Sequence, residues 1–150
     1  HVHTLRIHSR LPVVLPQRVD GGLLDWLART PLRKVLVLHS NHPAEIDGAV
    51  EDALAALAAA GVTLLNQAVL LRGVNDHADT LVSLSERLHR AGVLPYYLHL
   101  LDRVQGAAHF DVPDGRGVAL VAALRGRLPG YLVPRLVREQ PGADGKTIIA

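Results

Sequence analysis

The chain has 150 residues, of which 49% are hydrophobic and 20% charged, and a formal net charge of +2. That length suffices for one domain with a sizeable core, while the absence of a basic run and the presence of only one Trp, three Tyr and one Phe argue against a nucleic-acid surface. Cysteine and methionine are both absent, which excludes disulfides, a thiolate metal site and a cysteine nucleophile within the chain. No apolar stretch reaches membrane-spanning length, and the opening HVHTLRIHSR has no charged head, apolar run and cleavage site of a signal peptide. A cytoplasmic location without membrane or nucleic-acid partners is therefore expected. The chain starts at His1 rather than Met, so it reads as a C-terminal fragment.

In chain order, TLRIHSR (4–10) predicts a strand, with PVVLP (12–16) as an extended continuation. GLLDWLART (22–30) predicts a short helix. KVLVLHS (34–40) is a β-branched apolar run suited to a buried parallel strand. PAEIDGAVEDALAALAAAG then places Ile46, Val50, Leu54 and Leu57 on one helical face, with Gly61 as its stop. VTLLNQAVLL (62–71) predicts another buried strand, and DTLVSLSERLHRAG (79–92) a helix with Leu81, Leu84 and Leu88 on one face. LPYYLHLLD (94–102) predicts a strand, about 115–127 a helix, and YLVPRLVRE (131–139) an extended segment.

Alternating strands and helices at this spacing mean repeated βα units and a parallel sheet. Polar residues gather where the strands end: Arg6, His8 and Arg10; His39, Asn41 and His42; Arg72, Asn75 and Asp76; and Asp102. In parallel α/β folds, ligands bind at the carboxyl ends of the strands. Any single polar loop is equally well explained by exposure to water; four in succession point more strongly to a site.

His39 and His42 have no third metal ligand at a suitable spacing, and ordinary hydrogen bonding explains them better. Asp102 closes an apolar strand, where it could bind a substrate ammonium, act as a base or cap the next turn. Glu139, at another strand end, could join it in holding one ammonium by charge-assisted hydrogen bonds. Of sixteen basic residues only Lys34 and Lys146 are lysines, and a lysine amine can form a Schiff base whereas an arginine cannot. GADGKT around Lys146 is not a phosphate-binding loop, because Gln140 stands where the first glycine is needed and no helix-length segment follows Thr147.

Taken together, LRIHSRLPVVLPQRV, LHSNHPAEI, LLNQAVLLRGVNDHADTL, PYYLHLLDRVQGAAHF and GYLVPRLVRE resemble the C-terminal half of lysine 2,3-aminomutases. Within that family the likeness is strongest to the bacterial aminomutases serving β-lysylation of elongation factor P (EF-P). The resemblance runs from about Leu5 to Lys146. It implies a radical S-adenosylmethionine (SAM) enzyme that uses pyridoxal 5′-phosphate (PLP), and a partial TIM-type (β/α)6 barrel. Residues 1–130 would supply the later βα units, and residues 131–150 a C-terminal segment bearing the PLP lysine. The implied reaction converts L-lysine to β-lysine by moving the amino group from C2 to C3, with a SAM-derived radical formed at a [4Fe-4S] cluster.

By the same resemblance, Lys146 aligns with the lysine that binds PLP covalently. Asp102 and Glu139 align with the acidic pair that holds the distal ammonium of free lysine, the second being Asp in clostridial-type relatives. His39 and Gln67 align with positions contacting SAM; Arg72, Asn75 and Asp76 match the motif without an assigned role. The family's CxxxCxxC cluster motif has no counterpart here. Its cysteines, and the arginine for the substrate carboxylate, are expected upstream, and the isolated chain is expected to be inactive. The implied partners are lysine, the downstream EF-P lysyl ligase pathway and a second copy of the chain in a homo-oligomer. The alternatives are an aminomutase for another cationic amino acid and a non-catalytic α/β binding module.

Overall fold

The computed structural model describes residues 2–102, 106–140, 142 and 145–150. His1, residues 103–105 of the PYYLHLLDRVQGAAHF motif, and residues 141, 143 and 144 before Lys146 lie outside the described residues. Among the described residues six strands form one sheet: β1 (Thr4–Ser9), β2 (Arg33–His39), β3 (Val62–Val69), β4 (Leu94–His99), β5 (Arg135–Arg138) and β6 (Thr147–Ile148). Their order in space is their order in the chain. The first five run parallel, and β6 pairs antiparallel with β5. Parallel neighbours need a crossover, and these are supplied by α1 (Leu11–Val14), α2 (Gly21–Arg29), α3 (Gly48–Ala59), α4 (Ala78–Arg90) and α5 (Asp114–Arg125). A parallel sheet that advances in one direction, each crossover returning to the next position, is the wall of a partial (β/α) barrel, as the resemblance implied.

The two faces of the sheet have different chemistry. Leu36, Leu38, Leu64, Ala68, Leu98 and Leu136 fall at alternate strand positions and join the helix side chains Val50, Leu54, Leu57, Leu81, Leu88, Leu120 and Leu124 in one core. Burying each such leucine contributes roughly 1.5–3 kcal/mol. The opposite parity carries His8, His39, Gln67, Tyr97 and His99, linked across the sheet by the pairs His39↔Gln67, Gln67↔Tyr97 and Val69↔His99. A register shift between Asn66 and Gln67 leaves Tyr96 as an extra residue in β4. This bulge sets Tyr97 and His99 in phase with Gln67 and Val69; a regular ladder would turn them to the helix side.

Helix starts follow their caps. Asp20 accepts a hydrogen bond from Leu23 N, and Asp47 from Val50 N, both at 2.9 Å. Because Asp47 is the cap of α3, Ile46 lies before the helix, outside the expected helical face, yet it is fully buried. The expected extended continuation over 12–16 is instead partly helical. Pro12 lies in the first turn of α1, where its missing N–H costs no hydrogen bond, and Leu15 N closes the turn on Leu11 O at 2.8 Å. Likewise 131–139 opens with a 3-10 turn over Gly130–Leu132, and the strand begins only after Pro134.

On α5, a methyl group at Gly117 would lie 3.2 Å from side-chain carbons of both Leu100 and Leu136, so its backbone packs directly on the sheet. Among the described residues no helix is long and apolar enough to cross a membrane.

Candidate functional site

At the carboxyl ends of the strands a cavity of about 310 Å³ is lined by Arg10, His39, Asn41, Gln67, Val69, His99 to Asp102 and Glu139. The fold thus brings four of the five candidate site residues, His39, Gln67, Asp102 and Glu139, to one hollow. Lys146, which directly precedes β6, reaches the same place: its Nζ donates to Glu139 Oε1 and lies 5.7 Å from the centre of the Tyr97 ring. Backbone pairing explains the meeting. Arg138 pairs with Thr147, so the residue after β5 and the residue before β6 are neighbours across the ladder.

The other lysine serves the scaffold. Lys34 Nζ donates to Leu27 O at 3.1 Å, tying β2 to the end of α2, and it borders a separate, mostly apolar cavity with Leu5, Ile7, Leu23 and Leu27.

The wall of the first cavity contains unspent hydrogen-bonding capacity. His39 Nε2, Gln67 Oε1 and His99 Nε2 are buried without a hydrogen-bond partner among the described residues. Buried polar atoms are nearly always paired, so three unpartnered atoms on residues that line one cavity mark it as a place for a ligand's polar groups. Burial, reinforced by neighbouring positive charge, lowers the pKa of His39; for His99, burial and Lys146 outweigh the opposing pull of Glu139 and Asp102. His8 is lowered too, by burial and by Arg6, and its ring meets that of His39 edge-on at 6.0 Å. The imidazoles thus favour the neutral state, in which each ring nitrogen can donate or accept. Glu139 is held below the usual carboxylate range by its hydrogen bond and charge attraction to Lys146.

The loop residues singled out after β3 do other work. Asn75 is fully buried, and its amide ties the loops together: Nδ2 donates to Asn41 O and Val69 O, and Oδ1 accepts from Leu71 N. Asp76 Oδ1 accepts from Gly73 N at 2.9 Å. Arg72 is exposed, its N–H bonded to Phe110 O at 2.9 Å. His42 caps the turn at Pro43–Glu45, with Nδ1 accepting from Ala44 N at 3.2 Å.

Among the lining residues, His99 is the one whose place the sequence pattern does not reveal. Its signal was a lone imidazole inside YYLHLLD, but its face depends on the bulge at Tyr96, which strict alternation does not reveal.

Comparison with known proteins decides the relationship. Over all 150 residues the chain is 51% identical to an L-lysine 2,3-aminomutase of Haemophilus influenzae, and over 147 residues 52% identical to that of Escherichia coli. The chain is a homologue of the L-lysine 2,3-aminomutases. The Clostridium subterminale enzyme of that name is 44% identical over 148 residues. The chain spans 44%, 43% and 35% of the lengths of these three aminomutases, so it corresponds to less than half of each. No family model matches the chain. Among solved structures, a radical SAM methyltransferase from Sphaerobacter thermophilus superposes with a TM-score of 0.61 at 20% identity, over 79% of this chain and 38% of that one. That likeness establishes the fold, in agreement with the aminomutase-type partial barrel.

Proposed function

We propose that the chain forms part of an isomerase of the lysine 2,3-aminomutase type, SAM- and PLP-dependent, that makes β-lysine for modification of EF-P. The observation that carries this reading is the meeting of Lys146 with Glu139 at a cavity that Asp102 also lines. An amine and two carboxylates at one place suit an aldehyde cofactor and a cationic amino acid.

The residues fit two of the three implied groups. PLP would be held by Lys146, whose side chain is 24% exposed and so open to an aldehyde; when bound, it would lower the barrier to amino-group migration. SAM would lie against His39 and Gln67, whose partnerless Nε2 and Oε1 offer it hydrogen bonds. The [4Fe-4S] cluster does not fit these residues, because the chain has no cysteine, and its ligands would have to come from elsewhere in the protein.

The chain's own side chains would then act as follows. Lys146 binds the cofactor and gives it up to the substrate. Asp102 and Glu139 bind and orient the distal ammonium of lysine, and repel an acidic side chain. Val69, Leu100 and Leu101 form the apolar part of the wall. We assign residues 1–130 to the barrel wall and 131–150 to the segment that carries the cofactor lysine, in a cytoplasmic enzyme that works as a homo-oligomer.

Borohydride trapping of PLP followed by peptide mapping tests the central assignment. Label on Lys146 supports it; label on Lys34, or on neither lysine, overturns it. Assays of the cluster-containing enzyme with lysine, arginine and glutamate test the substrate, and turnover of arginine in preference to lysine would favour an aminomutase for another cationic amino acid.

A further inference from the structure

We propose that His99 is a third hydrogen-bonding residue, beside His39 and Gln67, of a site for an adenosyl group that spans β2, β3 and β4. This rests on the SAM reading above and adds a residue to it. His99 is 8% exposed, lines the cavity, and has no hydrogen-bond partner for Nε2 among the described residues. The bulge at Tyr96 puts it there: with that extra residue, His99 pairs with Val69, two positions beyond Gln67, on the cavity face. The ring is further fixed by an edge-on contact with Tyr97, 5.8 Å between centres. A polar group buried and braced without a partner is costly unless a ligand completes it.

The chemistry of the three atoms selects the ligand class. The Gln67 amide carries an acceptor oxygen and a donor nitrogen, so it suits a ligand that offers both kinds of group, such as hydroxyls beside an exocyclic amine. His39 Nε2 and His99 Nε2 belong to imidazoles that favour the neutral state, so each can complement a donor or an acceptor. Ribose hydroxyls and the adenine edge offer both kinds within one molecule. The cavity volume of about 310 Å³ falls within the range of small-molecule sites.

The test uses S-adenosylhomocysteine as probe and the cluster-containing enzyme labelled with 15N-histidine. Titration is expected to shift the Nε2 resonance of His99. His99→Phe, which keeps a ring but no hydrogen bond, is expected to weaken binding about tenfold or more, and His99→Gln to restore it to within about threefold. Borohydride trapping of PLP on Lys146 should be unchanged in both variants, which a general loss of structure would not allow. Binding of the probe to wild type and both variants alike overturns the role of His99 alone. Loss of PLP trapping in the variants, with or without loss of the probe, also overturns it, assigning His99 to the aldehyde site or to the scaffold. Failure of wild type to bind the probe at all would instead refute the underlying SAM reading, and the role of His99 with it.

Discussion

Asn75 holds Asn41 in place across two loops: its Nδ2 donates to the Asn41 carbonyl at 2.8 Å while the Asn41 side chain accepts from Val69 N, also at 2.8 Å. The mouth of the cavity is therefore built by interlocking amides. Asn75→Ala removes a fully buried group and leaves Asn41 O, Val69 O and Leu71 N without their bonds to it. A loss of about 3 kcal/mol in unfolding free energy is expected, since buried groups left unsatisfied cost about 1–3 kcal/mol each and relaxation recovers part. Urea denaturation measures it, and a loss below about 1 kcal/mol would show that the network is dispensable.

Gly117→Leu is expected to destabilise by about 1–3 kcal/mol through overpacking, because even a methyl group there would come within 3.2 Å of Leu100 and Leu136. The improved helix propensity relative to glycine, about 1 kcal/mol, offsets only part. Thermal unfolding at one pH checks the sign; a stabilised variant would mean that α5 can lift from the sheet at little cost.

Acidification should weaken the fold in two stages. His8, His39 and His99 have pKa values lowered in the folded state, so below the unfolded value near 6.5 the unfolded chain binds more protons and stability falls as pH falls. Glu139 is also depressed; its contribution is present above the unfolded carboxylate pKa and is lost as pH drops through the lower folded value. The melting temperature is thus expected to be flat above pH 7 and to decline between pH 6.5 and 5, more gently in His99→Phe. A melting temperature that rises on acidification would contradict the neutral assignment of these rings.

Asp102→Asn and Glu139→Gln should each weaken lysine binding by about tenfold or more, the scale of one charge-assisted hydrogen bond. Because Glu139 also bonds Lys146, its replacement should alter PLP trapping as well, whereas Asp102→Asn should leave trapping intact. Calorimetry with lysine, alongside the trapping yield, separates the two roles. Equal effects on trapping would show that the carboxylates act as a unit.

Much of this arrangement could be read in the residues themselves. Leu54 and Leu57, or Leu81, Leu84 and Leu88, announce helices by spacing, and VLVL announces a buried strand, because burial of one face or both leaves a periodic trace. Ile46 and the PVVLP stretch depart from their pattern for local reasons: Asp47 as cap and Pro12 in a first turn outweigh hydrophobic pattern. The face of His99 is hidden from the pattern because one extra residue at Tyr96 reverses which face follows. The Lys146–Glu139 contact depends on antiparallel pairing of β5 with β6, a relation between distant segments that no local pattern contains.

That pairing bears on how the lysine can vary over evolution. Beyond Lys146 the tail is tied by main-chain bonds: Thr147 and Ile148 pair with Arg138 and Val137, Ile149 N donates to Leu136 O, and Leu136 N donates to Ala150 O. Main-chain bonds do not read side chains, so Thr147 and the exposed Ile148 are free to change letter by letter. Inserting one residue between Lys146 and Thr147 is another matter, for Thr147 is held opposite Arg138 and the amine would be carried out of step with its carboxylate. The tether is tolerant of spelling and strict about length.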